Sequence, residues 1–464
     1  MNIRVLNIYR PVRNLLFFLV EVSLIFLSTL LASLILMKLG IIGELAWFEI
    51  LSKAALITFI CVLSLYYHNL YDLSRFTDLK ELLVRLFSTL GVASLIMGFL
   101  CLIFPHWVAT ERAFILALLF ISLGIVAWRL VYGRMLELGR ERVLILGSGG
   151  LASEIVKEIE RRADAGFQVV GVLSESNRSA PLISPKGKDL QLGTIKEVKD
   201  VVKKVGCDRI VVALREKRGR LPILDLLDLR LSGLTIHDGV EFYEHLTGKI
   251  MIEGLKPSHF VFSDGFRING KRKVIKRLFD IVLSSMGLVL SSPISLLAAV
   301  AIWLDSDGPI IYRQERVGEG GKVFILYKFR TMHRDAENGR PVWARENDPR
   351  VTRVGRILRK LRIDEIPQMY NILKGDMSFV GPRPERPYFV EVLNRAIPYY
   401  AQRHVVKPGL TGWAQIKYRY GASIADAFEK LRYDLYYIKN MSFSLDMAIL
   451  FETTKTILLG KGAR

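Results

Sequence analysis

The chain has 464 residues, 51% of them hydrophobic, and a formal net charge of +20. Its length allows two or three domains, and its apolar content is higher than that of an ordinary soluble protein. Although the chain is basic, it has no helix-turn-helix, zinc or RNA-binding signature, so anionic lipid headgroups and phosphorylated substrates fit better as partners than nucleic acid does. Its three cysteines, Cys61, Cys101 and Cys207, lack disulfide or metal spacing and indicate a reducing compartment.

Four long apolar runs before residue 135 predict transmembrane helices. They lie at approximately 15–39, 54–67 with its flanks, 86–104 and 114–131, and their lengths approach the roughly 20 residues that cross a bilayer. Lysines and arginines concentrate before the first run, between the second and third, and after the fourth, so the positive-inside rule places both ends of the bundle in the cytoplasm. Glu21 lies inside the first run, where we favour a carboxylate that reaches the headgroups over a functional intramembrane acid.

A soluble α/β pattern follows the fourth run. Residues 143–146, 169–173 and 210–213 have the composition of buried strands, and the sequence G-S-G-G-L-A at 147–152 opens a helix. This G-x-G-x-x-A spacing is typical of a dinucleotide-binding turn, and Glu175 follows the second strand, where a ribose-binding acid would lie. Close packing of strand against helix would need the same glycines, and we favour that explanation. The pattern therefore predicts a Rossmann-like module without assigning it a bound cofactor.

A fifth apolar stretch, at 278–304, follows a basic linker and contains Ser291, Ser292 and Pro293 near its middle. Proline has no N–H and disfavours a helical Ser292, so the sequence predicts a break there, with the serine hydroxyls satisfying the freed carbonyl groups. Positive charge flanks both ends of the stretch. A single crossing would violate the positive-inside rule, whereas a helix that enters and leaves by one leaflet would not. We therefore predict a re-entrant hairpin, with a kinked fifth span as the alternative.

The segment from 358 to 385 contains the strongest candidate for chemistry. Adjacent carboxylates Asp364 and Glu365 precede a proline, so they are expected to open a helix that runs to Leu373 and stops at Gly375. The positive end of a helix favours ionised carboxylates, which bind Mg2+, while nearby guanidinium groups bind phosphates. The basic residues around the pair are Arg359, Lys360, Arg362 and Arg383. The mixture predicts a site for a cation and a phosphate, and the alternative is a helix N-cap beside a solvated charged face.

Several elements flank this segment. Short strands are predicted at 310–316 and 323–330, around a glycine-rich turn. Residues 403–415 form a loop rich in hydrogen-bond donors and aromatic surface, and the apolar spacing of 431–459 predicts amphipathic helices that lie on the membrane.

Four motifs occur in order in the C-terminal half of the chain. They are KRLFDIVLS…SSP at 276–293, YRQERVGEGGKVFILYKFRTM at 312–332, LRKLRIDEIPQMYNILKGDMSFVGPRPE at 358–385 and RHVVKPGLTGWAQI at 403–416. Together they resemble the polyprenyl-phosphate hexose-1-phosphate transferases, or bacterial sugar transferases, which begin exopolysaccharide and O-antigen repeat units. The whole chain is similar to the family's large form, with four N-terminal spans and a CoA-binding-like module. More loosely, it resembles the subgroup associated with PEP-CTERM exopolysaccharide loci.

The resemblance implies a two-step exchange. The family's nucleophilic aspartate falls on Asp364 and its Mg2+-binding glutamate on Glu365, with Asp364 beside the same metal. Asp364 would attack the β-phosphate of a UDP-hexose and release UMP, and undecaprenyl phosphate would then accept the sugar phosphate. The expected substrate-binding residues are Lys328, Arg330, Arg359, Arg383, Arg403 and His404. Some relatives have Ser or Thr where this chain has Arg362, which leaves the local phosphate geometry open.

The predicted fold class is an integral membrane α-helical bundle, an α/β Rossmann-like module and an α-rich monotopic catalytic domain with a re-entrant membrane helix. The predicted boundaries are 1–135, 136–264 and 265–464, with the re-entrant helix at 278–304. The expected location is the bacterial inner membrane, with the catalytic domain on the cytoplasmic face. The expected partners are UDP-hexose, undecaprenyl phosphate and membrane lipids, and a homodimer is one possible assembly. Two rival functions stay open: an NAD-dependent nucleotide-sugar dehydratase, and a non-enzymatic scaffold for polysaccharide assembly.

Overall fold

In the computed structural model the chain forms two compact units, residues 1–4 with 9–242 and residues 5–8 with 243–464. The described residues are 2–5, 8–43, 46–71, 79–104, 111–138, 140–162, 166–176, 182–185, 187–214, 219, 221–253, 263, 265–266, 270–334, 336, 348–418, 421 and 423–458. Two short paired strands, β1 (Asn2–Val5) and β2 (Ile8–Pro11), are the first elements.

Four long helices in the first unit confirm the four predicted spans. They are α1 (Val12–Lys38), α2 (Trp47–Tyr67), α3 (Leu79–Ile103) and α4 (Glu111–Leu138). Each contains a stretch long and apolar enough to cross a membrane. Their shared core includes Ile25, Ile57, Leu86 and Ile121, which are fully buried, while leucines such as Leu95 are largely exposed on the outside. Apolar side chains on both the inner and outer surfaces are what a bundle surrounded by lipid requires.

Glu21 lies inside this bundle and does not reach the headgroups, so the favoured interpretation of this residue is wrong. Its side chain is fully buried, and Arg129 of α4 donates from Nε to Glu21 Oε1 at 2.7 Å. Arg129 also donates from Nη1 to the carbonyl oxygen of Leu70 at 2.9 Å. A lone carboxylate is costly in a low-dielectric interior, and an arginine partner offsets that cost. Arg129 therefore ties α4 to α1 through the ion pair and to the turn after α2 through a hydrogen bond.

The α/β module confirms the predicted strands and has a parallel five-stranded sheet in the order β5-β4-β3-β6-β7. Its elements are β3 (Glu141–Leu146), α5 (Gly150–Arg161), β4 (Phe167–Ser174), β5 (Gln191–Thr194), α6 (Val198–Val205), β6 (Arg209–Val212), α7 (Ile223–Leu231), β7 (Thr235–Asp238) and α8 (Gly239–Thr247). Strand order reverses beside β3, as in Rossmann-like folds. Buried strand residues such as Leu144, Leu173 and Ile210 form its core.

Gly147 shows why the turn after β3 is rich in glycine. Its φ is +116°, in the left-handed region, and a Cβ at this position would lie 2.8 Å from the carbonyl oxygen of Ala213. Only glycine fits such a close backbone approach without strain. Close backbone packing alone is therefore enough to explain the glycine at position 147.

The second unit is built around an unusually long helix, α9 (Gly270–Asp305). The other elements are β8 (Ile311–Val317), β9 (Val323–Phe329), α10 (Arg353–Lys360), α11 (Gln368–Lys374), β10 (Ser378–Val380), α12 (Pro387–Ala396), β11 (Gly409–Thr411), α13 (Trp413–Lys417), α14 (Ile424–Asn440) and α15 (Phe443–Leu458). Strands β8 and β9 form an antiparallel hairpin, as predicted, whereas β10 pairs with β11 in parallel.

Helix α14 packs in the protein core, contrary to the prediction that it lies on the membrane, whereas for α15, which also exposes Phe443 and Phe451, membrane contact stays a prediction. Leu431, Leu435, Leu445 and Ile449 are fully buried, and they pack in the core of the second unit. An apolar stripe at helical spacing fits a protein core as well as a lipid surface, because both bury one face of the helix. Residue 459 lies outside the described residues.

Helix α9 continues through Pro293 over the described residues 270–305, so the predicted interruption of the helix is wrong, although a proline inside a helix kinks it. The proline leaves the carbonyl group of Val289 without its usual backbone N–H. Ser292 donates its hydroxyl to that carbonyl oxygen at 2.7 Å, and Ser291 lies 3.5 Å from the carbonyl oxygen of Leu288. The predicted role is thus confirmed for Ser292, whose hydroxyl bond explains how the helix continues.

Both ends of α9 are attached to the same unit. Near its start, Arg277 donates to the carbonyl oxygens of Ile372 and Leu373, and Asp280 accepts from Ser378 Oγ and Phe379 N. At its other end, Ala298 and Ile302 pack against Phe329 and Leu358. Between these attachments the helix exposes large apolar side chains, including Val289, Leu290, Leu296 and Leu297.

Candidate active site

The two adjacent carboxylates lie on a single 3-10 turn, Ile363–Glu365, between α10 and α11. Arg362 enters the turn with a φ of +58°, a left-handed conformation that is uncommon for a residue with a side chain. Helix α11 begins only at Gln368 and ends at the predicted Gly375, whose φ is +102°. The predicted stop is confirmed, but the acids precede the α-helix and do not open it. Proline at 367 favours this arrangement, since it restrains the backbone just before α11.

Asp364 is almost completely buried, with 8% of its surface exposed. Its Oδ1 has no hydrogen-bond partner among the residues that the structure describes. Burial, and next the charge of Glu365, raise the pKa of Asp364 to about 6, against the opposing charges of Lys328 and Arg359. Desolvation therefore outweighs the effect of the helix terminus, but a pKa of about 6 still leaves Asp364 mostly ionised at neutral pH, as expected. The result is a poorly solvated carboxylate oxygen with unused acceptor capacity.

Glu365 differs from its neighbour because arginines hold it directly. Arg383 donates from Nη2 to Glu365 Oε1 at 2.8 Å, and Arg362 lies 3.4 Å from the same oxygen. Burial alone would raise the pKa of Glu365, but the charges of Arg383 and Arg362 outweigh it and lower the pKa. Glu365 therefore stays ionised at neutral pH, whereas the pKa of Asp364 lies only slightly below neutral pH.

Lys328 of β9 completes the cationic surroundings of Asp364. Burial, and next the charges of Arg316 and Arg359, lower its pKa to about 8, against the opposing charge of Asp364. Arg359 is oriented by Thr331, whose Oγ1 accepts from its Nε at 2.9 Å. The structure thus gathers Lys328, Arg359 and Arg383, three of the predicted substrate-binding residues, around the acidic pair.

Arg316 was missed as a site residue, although the hairpin pattern contains a signal for it. In the β8–β9 register, Arg316 faces Phe324 and Tyr312 faces Lys328, so residues 312, 314 and 316 share one face of the hairpin with Lys328. The partly buried Arg316 guanidinium donates to the carbonyl oxygen of Pro384 at 2.9 Å and to Gln314 at 2.6 Å. Its charge acts on Lys328.

The structure does not support the predicted contact of Arg330 with phosphate. It is 5% exposed, and its guanidinium donates to the carbonyl oxygens of Ser306 at 2.6 Å and Pro309 at 2.8 Å. These carbonyls follow the last turn of α9, where helix carbonyls have no partner of their own and attract a cation. Arg330 therefore holds the end of α9.

Arg403 contacts the backbone of Arg383, and His404 follows it in the chain. Arg403 is buried, pairs with Asp434 at 2.8 Å and donates to the carbonyl oxygen of Arg383 at 3.0 Å. Burial, and next the charge of Arg403, lower the pKa of His404 to about 4, so its ring is neutral. Arg403 thus positions Arg383, and direct contact of His404 with substrate stays a prediction.

A magnesium ion fits the acidic pair. Mg2+ is commonly held by one or two carboxylates together with waters and substrate phosphates, so it does not need a cage of protein ligands. Asp364 Oδ1, which lacks a partner among the described residues, and the ionised Glu365 supply oxygen ligands of the right kind. Across the described part of the chain, no group of three or more His, Cys, Asp or Glu side chains could hold a metal, so the phosphates of a substrate would have to complete the site.

Comparison with known proteins agrees with this geometry. Residues 271–460 match the bacterial sugar transferase family, and residues 66–228 match a CoA-binding domain family. The first match contains the acidic pair and every cation named around it.

Three curated relatives show how far the similarity extends. A UDP-glucose:undecaprenyl-phosphate glucose-1-phosphate transferase from Klebsiella pneumoniae is 34% identical over 380 residues, which cover 80% of both chains. A UDP-N-acetylgalactosamine-undecaprenyl-phosphate N-acetylgalactosaminephosphotransferase from Aeromonas hydrophila is 44% identical over half of this chain and 55% of its own length. An undecaprenyl-phosphate glucose phosphotransferase from Komagataeibacter xylinus is 31% identical over 75% of this chain and 65% of its own. The chain therefore belongs to the bacterial sugar transferases, the family of polyprenyl-phosphate hexose-1-phosphate transferases.

Proposed function

We propose that this protein transfers a hexose 1-phosphate from a UDP-sugar to undecaprenyl phosphate through a covalent intermediate on Asp364. The observation that carries the proposal is the state of Asp364, a buried carboxylate whose Oδ1 has no partner in the described structure, beside the cations Lys328 and Arg359. Such an oxygen is poorly solvated and free to act as a nucleophile. The names of the relatives supply the donor and acceptor classes.

In the first step, a carboxylate oxygen of Asp364 attacks the β-phosphorus of the UDP-sugar. The bond between that phosphorus and the bridging oxygen breaks, UMP leaves, and the sugar phosphate remains on Asp364 as an acyl phosphate. In the second step, a phosphate oxygen of undecaprenyl phosphate attacks the same phosphorus. The bond to Asp364 breaks, which restores the carboxylate and forms a diphosphate link between lipid and sugar.

The surrounding residues suit phosphoryl transfer, which depends mainly on positioning and charge stabilisation. Lys328 and Arg359 neutralise phosphoryl oxygens at Asp364, while Arg383 holds Glu365 ionised. Asp364 and Glu365 would hold Mg2+, whose charge would stabilise the negative phosphates when bound. The same constellation would serve no purpose in a scaffold without catalytic activity. A dehydratase on the α/β module would make no use of Asp364.

The attachments of α9 support a re-entrant topology. Arg277 near its start and Ile302 near its end both contact the second unit, so we infer that both ends of the helix lie on one side of the membrane. A helix that crossed the bilayer would separate its ends by a hydrocarbon core of about 30 Å. UDP-sugars are made in the cytosol, so that side is the cytoplasmic face of the inner membrane. The expected pathway role is the first membrane step of exopolysaccharide or O-antigen assembly.

The test is UMP release by the purified, reconstituted protein with undecaprenyl phosphate and a panel of UDP-sugars. We expect Asp364→Asn to abolish turnover while leaving the fold intact, because an amide has a similar shape but cannot act as the nucleophile. With the donor alone, the wild-type protein should retain radiolabelled sugar phosphate and the variant should not. UMP release by Asp364→Asn at the wild-type rate would exclude the covalent mechanism.

A further inference from the structure

We propose that α10 is an interfacial helix whose outer face binds the phosphate headgroups of anionic phospholipids, and that this contact holds the Asp364 turn at the membrane surface. The contacts of the helix determine its position. Its consequence for the lipid acceptor rests on the proposed function.

Helix α10 has two distinct faces. Gly355 and Leu358 are buried, whereas the residues at positions i, i+3, i+4, i+7 and i+8 are all exposed. These outer residues are Arg353, Arg356, Ile357, Lys360 and Leu361. Ile357 is 59% and Leu361 55% exposed, which is high for large apolar side chains. An exposed stripe that mixes cations with large apolar residues is typical of helices in the headgroup region of a membrane.

The outer cations of α10 are separate from the cations of the active site. Arg359 points to the other side, where its Nε donates to Thr331 Oγ1 and its charge acts on Asp364. Arg353, Arg356 and Lys360 form no ion pair with any acid in the described ranges. Three unneutralised cations within two helical turns create a local positive surface that complements anionic headgroups.

The contacts of α10 place it at the level where α9 leaves its apolar stretch. Asp305, the last residue of α9, accepts a hydrogen bond from the backbone N–H of Val354 at 3.2 Å. Leu358 of α10 packs with Ala298 and Ile302 of α9. Trp303, two residues before Asp305, is 69% exposed, and tryptophan is enriched at membrane interfaces. The first turn of α10 is thus bonded to the end of a membrane helix.

An anionic phospholipid fits this surface better than a dissolved phosphate does. The exposed Ile357 and Leu361 gain nothing from an aqueous ion, whereas in a bilayer they can enter the boundary between headgroups and acyl chains. Asp364 follows Lys360 by four residues, so the same contact sets the height of the nucleophile. A lipid acceptor whose phosphate lies among the headgroups would then reach Asp364 by lateral movement in the membrane.

The first experiment measures depth and needs no turnover. In a cysteine-free, full-length background, Ile357→Cys is labelled with an environment-sensitive fluorophore in vesicles of phosphatidylcholine and phosphatidylglycerol. Lys196→Cys, at an exposed position of the α/β module, is the water-accessible reference. We expect brominated lipid to quench the label at 357 and aqueous iodide to quench the label at 196. Equal iodide quenching at the two positions would overturn the proposal.

The second experiment tests the headgroup. The rate of UMP release by the wild-type protein should rise when phosphatidylglycerol is increased from zero to about 30% of the lipid. In the Arg356→Gln/Lys360→Gln variant this rise should be at least about fivefold smaller. Lys196→Gln, which also removes an exposed cation, should behave as wild type. Equal responses of the α10 variant and Lys196→Gln would contradict the proposal. If the wild-type protein released no UMP at all, the proposed function would fail, but the quenching experiment would still decide the position of α10.

Discussion

Asp364 and Lys328 set the pH range in which the reaction is expected to run. Burial raises the pKa of Asp364 to about 6 and lowers that of Lys328 to about 8. Below the first value Asp364 is protonated and cannot attack, and above the second Lys328 loses the charge that neutralises phosphate. Measured from about pH 5 to about pH 9.5, kcat/KM should follow a bell-shaped curve that falls on either side of these two pKa values. Lys328→Arg should remove the alkaline limb, because a guanidinium stays charged. A flat profile down to pH 5 would contradict the assignment of Asp364.

Glu365 gives a second prediction, which concerns magnesium. Glu365→Gln removes the charge that pairs with Arg383 and leaves an amide oxygen, which is a poor ligand for a hard cation. We expect activity to fall at least about tenfold at low Mg2+ and to recover in part at high Mg2+. The measurement is a Mg2+ titration of UMP release, with Glu391→Gln on the exposed face of α12 as the control. The same loss at every Mg2+ concentration would assign Glu365 a structural role.

Asn371 of α11 connects the helix after the acidic turn to the strand that carries Lys328. It is fully buried; its Oδ1 accepts from Tyr327 N at 3.0 Å, and its Nδ2 donates to the carbonyl oxygen of Ile325 at 2.7 Å. Asn371→Leu would leave both backbone groups buried without partners, so we expect a loss of about 2–4 kcal/mol in unfolding free energy. Thermal unfolding of the purified protein checks this, with Asn394→Leu on the exposed face of α12 as the matched control. Equal stability of the two variants would show that the link to β9 is dispensable.

Periodicity and hydropathy were sufficient to predict the four membrane helices, the α/β module and the β8–β9 hairpin, because these elements depend on local sequence. They were insufficient where tertiary contacts decide. The apolar face of α14 was assigned to the membrane because a stripe does not reveal what covers it. The expected break in α9 failed because one hydroxyl, that of Ser292, replaces the hydrogen bond that Pro293 removes.

Within the active site, the same distinction holds. The acidic pair and Lys328, Arg359 and Arg383 were predictable from residue types and motif spacing. The raised pKa of Asp364 was not, since it follows from burial by elements distant in sequence. Arg330 was misassigned because nothing in a K-F-R motif tells which side chain turns toward the end of α9. The alternation of the hairpin strands could have identified Arg316, had it been applied to side chains on the face of Lys328.

The two ends of α9 determine on which side of the membrane the whole active site stands. With 36 residues, the helix could extend about 54 Å and cross a bilayer, yet both of its ends are bonded to the second unit. We therefore expect the single-cysteine variants Gly270→Cys and Lys322→Cys, in a background without the native cysteines, to be labelled only from the cytoplasmic side. Gly43→Cys, in the connection after α1, is the control that should be labelled only from the outside.

Restoring the hydrogen bond that the proline removes should weaken this topology. Pro293→Leu, combined with Ser292→Leu, gives residue 293 a backbone N–H that can bond the carbonyl oxygen of Val289. The two leucines also extend the apolar surface at the middle of α9, and both changes favour a straight crossing. We expect part of this variant to be labelled at 322 from the outside, with a matching loss of UMP release, since those active sites would face away from the cytosolic donor. The attachments of Arg277 and Ile302 oppose the change, so the shift should be partial. Labelling of the unmodified protein at 270 and 322 from opposite sides would refute the re-entrant helix, because the bonds at its two ends could not then belong to one folded unit.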